Sequence, residues 1–152
     1  MRPYEKITMK YFASLSIIFY TLLGCYAHAQ PEDPRSTCNF FFPIAVAAMD
    51  VTDPYREKYD DKDAYYEATQ PYFDEGIEML EDEIIREMTS GETYFPDSLY
   101  DLVYFMGEDA LSMGLSYDLD LDYTYMDIRA MWIEYCLEEY GSRIETIFQE
   151  IE

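Results

Sequence analysis

The chain has 152 residues, with 10 basic against 32 acidic side chains and a formal net charge of −22. That balance excludes counterion-driven binding to nucleic acid and basic-patch binding to an anionic bilayer. Hydrophobic residues make up 49% and aromatics 18%, which is too apolar for an acidic disordered tail and enough for one folded domain.

Residues 1–29 read as a secretory signal. Arg2, Lys6 and Lys10 form a positive leader, Tyr11 to Leu23 is an apolar run, and Ala27-His28-Ala29 fits a small-x-small cleavage site before Gln30. The run is shorter than the roughly 20 residues of a spanning helix, so we expect export and no membrane span. Leu22-Leu23-Gly24-Cys25 resembles a bacterial lipobox, in which Cys25 would be lipidated. The downstream Ala27-His28-Ala29 site competes with it. We read simple cleavage first and an outer-membrane lipoprotein second. Cleavage removes three of the ten basic residues, one of the 32 acids (Glu5) and the chain's one histidine. Residues 30–152 then carry seven basic and 31 acidic side chains, a net charge of −24.

Without histidine there is no Ser-His-Asp or Cys-His catalysis and no histidine-based zinc site in the mature chain. Cys38 and Cys136 remain. An even pair in an exported chain predicts one disulfide.

Gln30 to Arg35 is a polar, proline-containing leader. Cys38 to Met49 (CNFFFPIAVAAM) is the most apolar stretch and reads as the central buried helix, starting or kinking near Pro43. A short helix follows from Pro54. Asp61 or Asp63 is placed to cap another short one through Ala68. Over 71–90, Phe73, Ile77, Leu80, Ile84 and Met88 form one helical face, with Glu75, Glu78, Asp82 and Glu83 away from it and Gly91 as the stop. Over 97–113 the stripe is Leu99, Leu102, Val103, Met106 and Ala110, with Gly114 behind it. Over 127–140, Ile128, Met131, Trp132, Tyr135 and Cys136 make a broad apolar arc ended by Gly141. Ser142-Arg143-Ile144-Glu145 has capping-box spacing and opens a last short helix with Ile144, Ile147, Phe148 and Ile151 inward.

Tyr117 to Tyr125 breaks this period. It alternates apolar and acidic residues with period two, yet no partner strand is in sight. We therefore expect an extended connection over 117–123. The expected fold is all-α, one compact domain over 30–152 with about five to six helices and a Cys38–Cys136 staple.

Asp118-x-Asp120-x-Asp122 begins like a calcium loop. However, Tyr123 stands where glycine is needed and Arg129 where a bidentate glutamate belongs. Weak calcium binding is one alternative reading of the chain, and an envelope lipoprotein with a structural or assembly role is the other. No glycine-rich phosphate loop or metal-ligand spacing is found, so we expect no cofactor, no metal and no enzyme.

Thirteen of the seventeen tyrosines lie beyond residue 29, many at helix edges and connections. Tyrosine among carboxylates suits a cationic protein partner. The expectation is an exported acidic binding protein, periplasmic or secreted. In character it resembles the immunity or inhibitor proteins that block a basic toxin or cell-wall hydrolase. Its candidate contact residues are Tyr117, Asp118, Asp120, Asp122, Tyr123 and Tyr125, with the tyrosines on one side of the connection and the acids on the other. It would act as a monomer, or as a homodimer able to overcome its own charge.

Overall fold

The computed structural model describes residues 33–90 and 96–151. The expected signal segment over 1–29 and the expected lipobox at 22–25, with Cys25, lie outside them. The described residues form four helices and no strand: α1 (Pro34–Lys58), α2 (Lys62–Ser90), α3 (Asp97–Leu115) and α4 (Tyr125–Ile151). The helical class and the single compact domain agree with the sequence. The expected five to six helices become four, because segments read as separate are continuous.

Helix α1 starts cleanly. The Asp33 carboxylate accepts the Arg35 and Ser36 amides at 2.6 and 3.3 Å, and Pro34 occupies the first turn. The helix then runs through both Pro43 and Pro54. An interior proline costs about 3 kcal/mol, chiefly through a lost backbone hydrogen bond. Both rings are exposed, so water can meet the carbonyls they leave unpaired. The buried opposite face, from Cys38 and Phe41 through Ala45 and Ala48 to Thr52, holds the helix together. The same logic carries α2 through exposed Pro71 and α4 through Gly141.

Helices α1 and α3 are the central pair, and each touches the other three; α2 and α4 flank them without touching one another. The close approach of α1 and α3 needs small residues. A Cβ built on Gly114 would lie 2.2 Å from the Ala45 carbonyl oxygen and 2.7 Å from the Ala48 Cβ. The α3 stripe is buried as expected, all five residues of it. On α2 the inward face is turned slightly from the expected one: Tyr65, Thr69, Tyr72, Leu80 and Ile84 are buried, whereas Met88 is half exposed. Glu83, expected outside, is buried and pairs with Arg86 one turn on. On α4, Ile128, Trp132 and Cys136 are buried, but Met131 and Tyr135 face outward. Ile144 and Ile147 point inward and Phe148 packs against the core.

Cys38 and Cys136 join α1 to α4 across 98 residues, with their Cα atoms 5.9 Å apart. Beside them the Trp132 indole N–H donates to the Cys38 carbonyl at 2.7 Å. Fully buried indole rarely goes unpaired, and this bond fixes α4 in rotation as well as in distance.

Candidate functional site

The candidate site is built around the C-terminal end of α3, whose last carbonyls have no partner within the helix. Three side chains reach in to meet them. The Arg56 guanidinium donates through Nε to the Ser116 carbonyl at 2.9 Å and through a terminal nitrogen to the Gly114 carbonyl. The Thr52 hydroxyl donates to Gly114 at 3.3 Å, and the Tyr65 hydroxyl to Leu115 at 2.7 Å. A cation suits the negative end of a helix. Asp53, one turn before Arg56 on α1, holds the other terminal nitrogen at 2.5 Å. Its carboxyl is nevertheless pushed up, because burial outweighs the attraction of Arg56. Burial likewise pushes the Tyr65 phenol up. Arg56 lies over the Tyr65 ring, 5.6 Å from its centre.

From this anchor the chain makes two successive turns instead of the expected extended connection over 117–123. Leu119 N–H donates to the Ser116 carbonyl and Tyr123 N–H to the Asp120 carbonyl. The Asp120 side chain also takes the Asp122 amide at 2.9 Å. Aspartate bonding to its own backbone two residues on is a turn-former, and with no strand beside it the alternating segment has nothing to extend against. The tyrosines and acids therefore do not sort to opposite sides. Leu119 is buried with Met49 and Ile128 in a small second core, while Leu121 is exposed.

The six expected contact residues divide into two groups. Tyr117 and Asp118 serve the corner between α2 and the turn. The Tyr117 hydroxyl donates to the Asp60 carbonyl at 2.8 Å, its amide donates to the Tyr66 hydroxyl, and its ring packs 5.2 Å from that of Tyr65. Asp118 pairs with Lys62 at 2.9 Å, and this bond pushes the Lys62 ammonium up. Asp120, Asp122, Tyr123 and Tyr125 stay together at the surface. The Tyr125 hydroxyl donates to Asp50 at 2.8 Å, which pushes its phenol up. Thr124 and Asp127 form a reciprocal cap that starts α4: the Thr124 amide and hydroxyl both donate to the Asp127 carboxylate, and the Asp127 amide donates back to the Thr124 hydroxyl. Those bonds hold the Asp127 carboxyl below its usual range.

Between the turn and α1 lies an open hollow of about 300 Å³, with Met49 and Leu119 at its base and Asp53, Asp120, Tyr123 and Tyr125 around it. No lysine or arginine is among the described residues that line it. Of its lining, Leu121, Tyr123 and Tyr125 are open to solvent, Tyr125 at 53%, and Met126, next along the chain, is 68% exposed. Exposed apolar side chains gathered in one place mark a contact surface more than scattered ones do. Sequence reasoning missed four contributors: Leu121, Met126, Asp50 and Asp53. Met126 carried the clearest signal, an apolar side chain off the Ile128–Trp132–Cys136 stripe. Asp53 and Arg56, three apart on a helix, were the signal for the buried anchor.

Asp118, Asp120 and Asp122 do not converge; among the described residues no three Asp, Glu, His or Cys side chains gather as metal ligands. A second carboxylate is tied up by tyrosine elsewhere. Asp109 on α3 accepts the hydroxyls of Tyr135, at 2.7 Å, and Tyr140, both on α4. Burial first, and then this shared carboxylate, push Tyr135 up to about 12 and Tyr140 higher still.

The fold and this surface describe a small helical protein with an acidic, tyrosine- and methionine-bearing face. Compared with protein-family models, curated proteins and solved structures, the chain matches none of them.

Proposed function

We propose that the chain is an exported acidic binding protein of the periplasm or extracellular space. It acts as an immunity or inhibitor protein that neutralises a cationic toxin or cell-wall hydrolase by occluding its cleft. One observation carries the reading: an exposed apolar cluster (Leu121, Tyr123, Tyr125, Met126) rimmed by carboxylates and with no cation lining its hollow. Aromatic and methionine side chains supply area at low entropic cost, and the surrounding acids select partner charge and speed encounter. The export segment and the absence of histidine beyond residue 29 support the same reading. Tyr117 and Asp118 hold the turn in place in this account, so the contact residues narrow to Asp120, Asp122, Tyr123 and Tyr125, with Leu121 and Met126 added.

The test uses residues 30–152 and the basic secreted protein encoded beside this chain's gene. We expect a 1:1 complex by light scattering and loss of that protein's hydrolytic activity. The double substitution Tyr123→Ser with Met126→Ser should weaken the complex by at least about tenfold. A basic neighbour that neither binds nor loses activity overturns the proposal.

A further inference from the structure

A second surface lies at the opposite end of α3. There the last turns of α2 and the first turns of α3 enclose an open groove of about 500 Å³. Ile84 and Tyr100 are buried at its base. Ile85, 58% exposed, and Met88, 50% exposed, stand along it one turn apart on α2. Glu81, Asp97 and Asp101 supply its charge, and no lysine or arginine is among the described residues that line it. Helix α3 has 19 residues and at 1.5 Å per residue is about 28 Å long; the groove runs along its first two turns, from Asp97 to Tyr104, and the Tyr123–Met126 surface lies beyond its last. The two sites are distinct, and binding in the groove is independent of any immunity or inhibitor role.

We propose that this groove binds a basic amphipathic helix of another protein. Three arguments select that occupant. Apolar anchors three residues apart on a helix form a ridge whose natural complement is another helix, with its own apolar side chains at three- and four-residue spacing. The described residues contain no strand, so an extended peptide would find no sheet edge to join. Three carboxylates around an apolar floor match lysines or arginines flanking the apolar stripe of the incoming helix. The same carboxylates oppose the two other occupants of an apolar groove. A second copy of this chain would bring its own acidic rim and a net charge of −22 against this one. An anionic bilayer would meet repulsion at the same place.

The probe is a fluorescein-labelled 18-residue peptide of leucine and lysine patterned for one apolar helical face. Its controls are a scrambled peptide of the same composition and a leucine–glutamate peptide with the same pattern. Fluorescence anisotropy at about 0.15 M salt reads the affinity. We expect the patterned peptide to bind at least about tenfold more tightly than the scrambled one, and the glutamate peptide not to bind. Ile85→Ser with Met88→Ser should weaken binding by about tenfold or more. Both side chains are exposed, so the variant keeps the core, and circular dichroism checks that. Glu81→Gln with Asp101→Asn should weaken binding and flatten its salt dependence. Equal affinity for patterned and scrambled peptides overturns the proposal, as does binding that the groove variants leave intact, or no binding at all. A wild-type dimer in sedimentation that Ile85→Ser with Met88→Ser dissociates assigns the groove to a second copy and also overturns it.

Discussion

One chemical change, glycine to alanine, should move stability in opposite directions at two positions of this fold. At Gly114 the added methyl would sit 2.2 Å from the Ala45 carbonyl oxygen and 2.7 Å from the Ala48 Cβ. Neither atom is the free end of a side chain, so α1 and α3 must separate. Overpacking of a well-packed contact costs about 1–3 kcal/mol, and a rigid backbone neighbour puts this one near the top of that range. Alanine recovers about 1 kcal/mol of helix propensity. The net is a loss of about 2 kcal/mol, or about 8 °C in Tm for a domain of this size. At Gly141, also inside a helix, a methyl would meet nothing within 4 Å. Only the propensity gain remains there, about 1 kcal/mol or about 4 °C. Gly76 and Gly107 fall between, since the methyl would meet the flexible ends of Leu111 and Leu80 at 2.7 Å, which can turn aside. Urea denaturation followed at 222 nm, with the disulfide intact, gives all four values on one scale. A Gly114→Ala protein as stable as wild type, or a Gly141→Ala protein less stable, would refute the packing of α1 on α3 or the continuity of α4.

The same contacts set four further outcomes. Arg56→Met keeps the stem but strips the donors from the Gly114 and Ser116 carbonyls and leaves Asp53 without its cation. It should lower the unfolding free energy by about 3 kcal/mol in urea titration. Reducing the Cys38–Cys136 bond, which closes a span of 98 residues, should cost about 4–5 kcal/mol, read as a fall in urea midpoint with reductant present. Tyr135 and Tyr140 hold their protons more tightly when folded than the ordinary phenol value of 10, Tyr135 up to about 12. Their contribution is therefore complete below pH 10 and is lost as pH rises toward 12, because the unfolded chain releases those protons first. Tyr135→Phe with Tyr140→Phe should flatten that alkaline fall in Tm, and an unchanged slope counts against the Asp109 contact. Added salt should raise Tm by screening self-repulsion while slowing association with a basic partner, so salt that moves both the same way contradicts the charge argument.

The helices are legible where burial follows one stripe. Leu99, Leu102, Val103, Met106 and Ala110 stand out by period alone, and all are buried. The helix ends are less legible, because Pro43, Pro54, Pro71 and Gly141 act as local breaks only when nothing else holds the chain. Here tertiary burial does, and the exposed prolines leave their carbonyls in reach of water. The 117–123 segment departs from expectation for the converse reason. Its alternation satisfies a strand pattern, but a strand needs a neighbour. Asp120 instead turns the chain by bonding its own backbone. Of the candidate site, the tyrosines and aspartates are visible as composition. Their division into those that hold the turn and those that remain exposed depends on Lys62, Tyr65 and Asp60, some 50 to 60 residues away in sequence, and no local pattern encodes that.

The cations explain how so acidic a chain presents a coherent acidic face. Residues 30–152 hold seven, and most are used inside the molecule. Arg56 is buried against Asp53 and the end of α3, and Lys62 and Arg86 pair with Asp118 and Glu83. Arg129 donates to Asn39. Arg143 lies over the rings of Phe105 and Tyr140. Three of these contacts neutralise a carboxylate, Asp53 beside the first hollow among them, and none of the five cations lines either hollow. A random scatter of seven cations over the exterior would have interrupted both surfaces. Their placement instead leaves carboxylates, and no lysine or arginine, among the described residues that line each. For the partners proposed above, discrimination by charge would come from where the few positive side chains sit as much as from the excess of negative ones.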